Sequence, residues 1–254
     1  MDISRNSFKA ALGAGKVQLG IWSCLCSPLV SELLAQSGFD WILFDGEHSP
    51  VEIADLLPLL QAASGGTASL AVRPPWNDRV LIKKVLDLGA QTVLVPFVET
   101  AEEARDAARA CWYPPAGVRG VASATRAGGF GRIADYFHKA NDEMCVLVQV
   151  ETAGALARLD EIARADGVDG VFIGPSDLAA SMGHLGNPGH GEVQEAIREA
   201  AGAIRKAGKA PGILATSAAD AQKYVDWGYL FVACSLDVRI LATGLDGLLK
   251  DMGR

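Results

Sequence analysis

Eight short apolar runs, separated by segments of helical periodicity, constrain the fold of this 254-residue chain more than any other feature. Strands that alternate with helices predict parallel βαβ units, and eight such units predict a closed α/β barrel, the (β/α)₈ TIM barrel. A doubly wound open sheet is the alternative. Because the length suits one barrel, residues 1–254 are predicted to form a single domain. The predicted strands are Leu19–Trp22, Trp41–Asp45, Leu70–Arg73, Thr92–Pro96, Cys145–Val150, Gly170–Gly174, Pro211–Ala215 and Leu230–Cys234.

The composition argues against several classes of protein. The net charge of −7 disfavours a nucleic-acid partner, because such binding depends on clustered Lys and Arg. No apolar run approaches the roughly 20 residues that cross a bilayer, which argues against a membrane protein. The N-terminal segment MDISRNSFKAALGAG lacks the apolar stretch of a signal peptide. The five cysteines lack the spacing of a zinc site and predict free thiols in a reducing cytoplasm.

Titratable side chains follow two neighbouring strands at the end where a barrel forms its active site. The second predicted strand ends in Asp45 and continues into Glu47 and His48, and the third ends in Arg73. An arginine at that end usually meets an anion, either a substrate or a nearby carboxylate. The histidine is as compatible with a structural role as with catalysis.

Two further carboxylates, Glu151 after the fifth strand and Asp177 after the sixth, suit a hard divalent cation that prefers oxygen ligands. Capping of the next helix, or an ion pair with an arginine, would explain Glu151 equally well. The helix that begins in GPSDLAAS (174–181) has free N–H groups at Ser176 and Asp177, which suit a carboxylate or phosphate. An N-cap without a ligand is equally compatible.

Two segments depart from the repeating pattern. The connection 117–142 is much longer than the usual link between a helix and the next strand, and it is rich in Gly and Arg with an apparent helix at its end. We expect it to cover the active site or to contact another subunit, with a structural excursion as the alternative. The tail 237–253 has apolar residues at helical spacing and is either the last barrel helix or an arm packed on a neighbouring subunit.

Motifs that lie in order along nearly the whole chain include FDGEH (44–48), VRP (72–74), YPPAGVRG (113–120), LVQVET (147–152) and GVDGVFIGPSDLAASMGHLGNPGH (167–190). Together they resemble the HpcH/HpaI family of metal-dependent pyruvate aldolases. The resemblance implies a TIM barrel of the phosphoenolpyruvate/pyruvate superfamily type that acts as a carbon–carbon lyase. The implied reaction is reversible retro-aldol cleavage of 4-hydroxy-2-oxo acids to pyruvate and an aldehyde through a metal-stabilised pyruvate enolate.

The resemblance also implies which residues bind the metal and the substrate. Glu151 and Asp177 match the ligands of a divalent ion, Mg²⁺, Mn²⁺ or Co²⁺, and no organic cofactor is expected. Ser176 and Asp177 are expected to contact pyruvate. Trp22 and Thr216 are expected to face the aldehyde half of the substrate.

Four residues match the groups that transfer protons and stabilise charge in the family. His48 matches the base, paired with the acid that matches Asp87, and Asp45 matches a second acid. Arg73 matches the arginine that binds substrate and steadies its keto or enolate oxygen. None of the predicted strands contains a lysine, which argues against a Schiff-base aldolase.

The resemblance implies a homohexamer, built as a trimer of dimers, in which the C-terminal helix is exchanged between neighbouring subunits. Candidate substrates are 4-hydroxy-2-oxoheptanedioate, from the breakdown of aromatic compounds, and 2-keto-3-deoxy sugar acids. The alternatives are an acyl-CoA lyase of the same superfamily and a non-catalytic metabolite-binding oligomer. The first would need a basic surface that the sequence lacks, and the second would not need His48, Arg73, Glu151 and Asp177 together.

Overall fold

Eight parallel strands close into a barrel in the computed structural model, which describes all residues, 1–254. Each strand pairs with its neighbours in the chain, and β8 returns to pair with β1, so the sheet has no free edge. The predicted (β/α)₈ barrel is therefore confirmed, and every predicted strand is present with its ends within two residues of those expected. The strands are β1 (Gln18–Ser23), β2 (Trp41–Asp45), β3 (Ser69–Arg73), β4 (Thr92–Val95), β5 (Cys145–Val150), β6 (Gly170–Ile173), β7 (Ala210–Leu214) and β8 (Phe231–Leu236).

Helices follow the strands and cover the outside of the barrel. The segment ALARLDEIARA (155–165) is divided between two short helices, and one helix precedes the first strand. None of the helices is long and apolar enough to cross a membrane. A 3₁₀ turn occupies Gly129–Gly131, and the α-helices are α1 (Ser7–Gly13), α2 (Pro28–Ala35), α3 (Ile53–Ala63), α4 (Arg79–Asp87), α5 (Ala101–Cys111), α6 (Tyr136–Glu143), α7 (Ala153–Leu156), α8 (Leu159–Ala163), α9 (Pro175–Ser181), α10 (Gly191–Lys206), α11 (Ala218–Asp226) and α12 (Asp237–Asp251).

The outer helices begin where their sequences carry capping groups. The Thr100 hydroxyl accepts from the backbone N–H of Glu103, and the Glu103 carboxylate accepts from the backbone of Thr100, which makes a capping box at the start of α5. Asp78 caps α4 by accepting from two backbone amides. Both helices turn an apolar face to the strands. Because each helix links two parallel strands, it runs back to the N-terminal end of the barrel.

The N-terminal end of the barrel is filled by aromatic side chains. The rings of Phe8, Trp41 and Phe231 lie with their centroids 5.6–6.0 Å apart. Glycines make room for them, because a Cβ at Gly20 would overlap Trp41 and a Cβ at Gly212 would overlap Phe231. The opposite, C-terminal end is left as the open mouth where a site can form.

The long connection 117–142 lies at this filled end, because it links the end of α5 to the start of β5. The guanidinium of Arg126 donates to the carbonyl of Leu88, and the amide of Ala127 donates to the carbonyl of Asp87, both at the end of α4. The connection therefore does not cover the mouth of its own barrel, and that expectation is wrong for the single chain. Contact with another subunit stays a prediction.

The C-terminal helix α12 is anchored at its first residue and otherwise exposed. The Asp237 carboxylate accepts from the hydroxyl of Ser23 at 3.2 Å and from the amides of Cys24 and Leu25 at 2.9 and 3.1 Å. The remaining residues of the helix are exposed or nearly so, although many are apolar. The exposed apolar residues are Val238, Ile240, Leu241, Leu245, Leu248 and Leu249.

Candidate active site

A cavity of about 490 Å³ opens at the C-terminal end of the barrel, where most of the strands end. A second cavity, of about 370 Å³, lies under α1 at the filled end and has a single carboxylate in its lining. Converging titratable groups therefore identify the open end as the candidate active site. The predicted site residues that line it are Trp22, Asp45, His48, Arg73, Ser176 and Asp177.

Asp45 is the centre of a buried hydrogen-bond network. Its carboxylate accepts from Arg73 Nε at 2.9 Å and Nη2 at 2.7 Å, and from the indole N–H of Trp22 at 3.1 Å. The backbone amides of Glu47 and His48 donate to it at 3.0 and 3.3 Å. Burial alone would raise the pKa of Asp45, but the hydrogen bonds and charge of Arg73 lower it below the ordinary value. Asp45 is therefore ionised at neutral pH and holds the arginine in place.

Arg73 is oriented on three sides. Two of its donors bind Asp45, its Nη1 lies 2.8 Å from Glu47 Oε2, and its guanidinium lies 4.8 Å from the centre of the Trp22 ring. A guanidinium has five N–H donors, and hydrogen bonds to Asp45 use two of them, so the others remain for Glu47 and for a ligand in the cavity. The structure thus places Asp45, expected as a second acid, and Trp22, expected to contact substrate, where both support Arg73.

Glu151 is buried directly after β5. One carboxylate oxygen accepts from the backbone amide of Phe97 at 2.9 Å, and the other accepts from the Gln149 side chain at 2.5 Å. Gly174 packs closely against it, since a Cβ there would lie 2.7 Å from Oε2. Burial raises the pKa of Glu151 to about 7, although these hydrogen bonds oppose the rise.

Other carboxylates add negative charge around Glu151. The charges of Glu47 and Asp177 both raise its pKa, and burial raises the pKa of Glu47 despite the nearby Arg73. Glu151 and Asp177 follow neighbouring strands and offer only oxygen donors, which hard divalent cations prefer. A cation between them would offset the repulsion, so these residues fit the predicted metal ligands.

His48 lies at the mouth of the cavity, and its predicted partner Asp87 does not. The His48 side chain is 66% exposed, with Nε2 3.9 Å from Glu47 Oε2. Asp87 ends α4 at the opposite end of the barrel, where it accepts from Arg119 Nη2 at 2.8 Å. The predicted pair of His48 and Asp87 is therefore not formed within one chain.

The lining contains residues that were not selected from the sequence. Gln149 lies in the cavity wall, and its Oε1 is buried without a hydrogen-bond partner. The period of two in a strand places it on the same face as Glu151, which is the signal that could have identified it. Thr216, expected to contact substrate, is exposed and lies outside the lining, whereas Leu214 lies in it. Three other apolar residues share that wall, namely Phe172, Leu236 and Val238.

Known proteins are similar to this chain in sequence and in fold. The sequence pattern of the HpcH/HpaI aldolase/citrate lyase family matches residues 18–243. A Klebsiella pneumoniae protein named 4-hydroxy-2-oxo-heptane-1,7-dioate aldolase is 56% identical over 244 residues, which cover 96% of this chain and 92% of that protein. A protein of the same name from Escherichia coli is 53% identical over 249 residues, covering 98% of this chain and 95% of its own length. The crystal structure of an HpcH/HpaI aldolase/citrate lyase family protein from Burkholderia cenocepacia superposes with a TM-score of 0.95 at 37% identity, covering 98% of this chain and 100% of its own.

Proposed function

This chain belongs to the HpcH/HpaI aldolase/citrate lyase family, and we propose that it is a carbon–carbon lyase that cleaves 4-hydroxy-2-oxo acids to pyruvate and an aldehyde. The same site would join the two products in the reverse direction. The observation that carries the proposal is the arrangement at one barrel end of Arg73, held by Asp45, with the carboxylates of Glu151 and Asp177.

Arg73 is suited to stabilise the charge that develops during cleavage. Breaking the bond between C3 and C4 moves an electron pair towards the keto group of the pyruvate half. The N–H donors of Arg73 that Asp45 does not use can bind that oxygen as it becomes negative. Because the guanidinium is fixed before substrate arrives, little reorganisation is needed during the reaction.

Glu151 and Asp177 are the residues that would hold the divalent ion. When bound, the ion supplies Lewis-acid stabilisation of negative charge on the substrate oxygens. We propose Mg²⁺, Mn²⁺ or Co²⁺, because two carboxylates suit hard cations and leave other coordination positions open. The raised pKa of Glu151 means that a proton competes with the cation near neutral pH.

His48 and Gln149 would act on the hydroxyl group at C4. The exposed imidazole of His48 at the cavity mouth can accept the hydroxyl proton, because histidine is the side chain that most often acts as a general base. The unpartnered Oε1 of Gln149 can accept a hydrogen bond from substrate and so orient it. Ser176 and Asp177 begin α9 beside the cavity, and we propose that they contact the pyruvate half.

We propose 4-hydroxy-2-oxoheptanedioate as the substrate, and with it a place in the breakdown of aromatic compounds. Relatives more than half identical carry the name of that aldolase. The apolar wall, which includes Phe172, Leu214 and Leu236, suits the methylene carbons of that substrate. A sugar acid would expose several hydroxyl groups to the same wall and leave them without partners.

The test is release of pyruvate from 4-hydroxy-2-oxoheptanedioate by chelator-treated protein before and after addition of Mn²⁺, Mg²⁺ or Co²⁺. We expect cleavage only with metal, and slower cleavage of a 2-keto-3-deoxy sugar acid. His48→Ala should lower kcat by roughly 10²–10⁴-fold, as for loss of a general base. The matched control is His138→Ala, because His138 is an exposed histidine on α6. Absence of cleavage with every metal would overturn the proposal.

We further propose that the active form is a homohexamer, a trimer of dimers with α12 exchanged between neighbours. The exposed apolar face of α12 supports a covering subunit. Asp87 cannot reach His48 of its own chain, so we propose that it reaches the His48 imidazole of a neighbouring chain. Light scattering should give about 160 kDa for six chains of 26.6 kDa.

Mixed oligomers test the pairing between subunits. Chains carrying His48→Ala and chains carrying Asp87→Asn should each form oligomers of low activity. In a random equal mixture, half of the chains carry an intact His48 and half carry an intact Asp87. If each site takes these residues from two neighbouring chains, about a quarter of the sites would have both. Recovery to about that level supports the pairing, whereas no recovery would exclude it.

A further inference from the structure

A second cluster of metal-ligand side chains lies at the rim of the barrel. His184 and His190 lie in the loop between α9 and α10, and Glu192 lies in the first turn of α10. One ligand atom from each of the three lies within 4.8 Å of the others. We propose that this cluster, His184, His190 and Glu192, binds one divalent ion of the borderline class, with Zn²⁺ as the preferred probe.

The cluster is separate from the carboxylate pair of the active site. Asp177 lies in the first turn of α9, whereas His184 follows its last turn. Neither Glu151 nor Asp177 belongs to the group whose ligand atoms lie within 4.8 Å of one another. None of the three cluster residues lines the cavity that Asp177 lines.

The donor atoms of the two sites select different ions. Glu151 and Asp177 offer carboxylate oxygens alone, which suit hard cations. His184 and His190 offer imidazole nitrogens, which suit Zn²⁺, Ni²⁺ and Cu²⁺ and do not suit Mg²⁺. With the Glu192 carboxylate they make three protein ligands, which leaves the fourth position of a tetrahedral Zn²⁺ for water.

The three side chains lie close to the arrangement of a zinc site, and one imidazole ring would have to rotate to complete it. His184 Nε2 lies 3.0 Å from Glu192 Oε2, near the spacing of about 3.4 Å between neighbouring ligands of tetrahedral zinc. The His184 and His190 rings are stacked, with centroids 3.6 Å apart and planes at 16°. Because an ion lies in the plane of each imidazole that binds it, one ring must turn out of the stack.

The surroundings of the cluster leave room for that rotation. The side chain of Glu192 is 72% exposed, and that of His184 is 22% exposed. Gly183 and Gly186 flank His184 at positive φ, with open space beside each of them. His190 Nδ1 accepts only a long hydrogen bond, 3.4 Å, from the amide of Glu192, and its other nitrogen is free.

Binding there would tie the loop after α9 to the start of α10. The ion would fix the far end of the short helix whose first turn carries Asp177. Without an ion, the same residues close the loop through the hydrogen bond between His184 and Glu192 and the N-cap of His190. A structural loop closure is thus the competing explanation, and it predicts no metal affinity.

The experiment separates this site from the catalytic one by removing the catalytic ligands. The variant Glu151→Gln/Asp177→Asn, stripped with chelator, is titrated with Zn²⁺ against a chromogenic chelator. We expect one Zn²⁺ per chain and no competition by millimolar Mg²⁺. Adding His184→Asn to this variant should weaken Zn²⁺ binding at least tenfold. Loss of a residue that only supports a metal ligand already lowers metal affinity by roughly tenfold or more.

Two further variants control the result. His190→Asn should also weaken Zn²⁺ binding, and it keeps the helix cap because Asn is a good N-cap residue. His138→Asn removes a histidine from α6 and should leave binding unchanged. The proposal is overturned if the Glu151→Gln/Asp177→Asn protein binds no Zn²⁺, or if its binding is unaffected at positions 184 and 190. The readout is affinity alone, so it is independent of the proposed aldolase activity.

Discussion

Replacing Glu151 by Gln should stabilise the metal-free protein at alkaline pH while it removes a metal ligand. Glu151 is 3% exposed, and burial raises its pKa to about 7 from an ordinary value of 4.5. The folded protein therefore favours the neutral carboxyl group, and ionisation of this side chain opposes folding. The amide of Gln is neutral at every pH, so the variant lacks this penalty.

The size and sign of the effect follow from the two pKa values. Below pH 4.5 the carboxyl group is neutral in both the folded and the unfolded chain, so Glu151 and its replacement should be similar. Between pH 4.5 and about 7 the unfolded chain ionises first, and the free energy of unfolding of the wild type falls. Above pH 7 the loss reaches at most roughly 3 kcal/mol, at 1.36 kcal/mol for each unit of pKa.

The hydrogen bonds around Glu151 can accommodate the amide. Its oxygen can keep the bond from the Phe97 amide, which is 2.9 Å long in the wild type. Its NH₂ group would face the NH₂ group of Gln149, but the Gln149 amide can turn. The Oε1 of Gln149, now buried without a partner, then accepts from the new donor.

Thermal unfolding in chelator at pH 5 and pH 8.5 measures the difference. At roughly 2–4 °C per kcal/mol for a chain of this size, Glu151→Gln should raise Tm by about 6–12 °C at pH 8.5 and by much less at pH 5. Saturating Mn²⁺ should reverse the order, because only the wild type keeps its full metal affinity. The control Glu199→Gln alters an exposed acid on α10 and should show no such pH dependence. A variant less stable than the wild type at pH 8.5 in chelator would refute the reasoning.

Two other substitutions test the support of the site and the packing below it. Trp22→Phe keeps a ring over Arg73 but removes the N–H that binds Asp45, so kcat for pyruvate release should fall about tenfold, the equivalent of one hydrogen bond to a charged group. A change confined to KM would instead indicate direct contact with substrate. Gly212→Ala should destabilise the barrel by roughly 1–3 kcal/mol in thermal unfolding, because the new Cβ overlaps Phe231. The control Gly202→Ala, on α10 with open space around it, should instead stabilise by about 1 kcal/mol.

The barrel and the main site residues could be predicted from the sequence because both follow from local patterns. Apolar runs and helical periods alternate along the chain. Because the βαβ unit is right-handed, few arrangements of these strands and helices are possible. A residue at the C-terminal end of a strand must then lie at the open mouth. That rule predicts Asp45, Arg73 and Asp177 at one end of the barrel, and all three line the cavity there.

Two expected contacts do not form within one chain, because the helices run in the opposite direction to the strands. The helix α4 runs back from the mouth, so its last residue, Asp87, lies at the filled end with Arg119. The connection 117–142 follows α5 and lies at that end as well. Neither can reach His48 of the same chain, which leaves only another subunit to bring them together.

The amino-acid sequence is enough to predict the order of strands and helices, the open end of the barrel and the types of side chain that meet there. How those side chains share hydrogen bonds depends on the folded barrel. Asp45 accepts two hydrogen bonds from Arg73 and holds it in place, and Gln149 keeps one buried oxygen free. Periodicity is a property of neighbours along the chain, whereas hydrogen-bond partners and burial depend on distances between strands that are far apart in sequence, and those distances exist only once the barrel has closed.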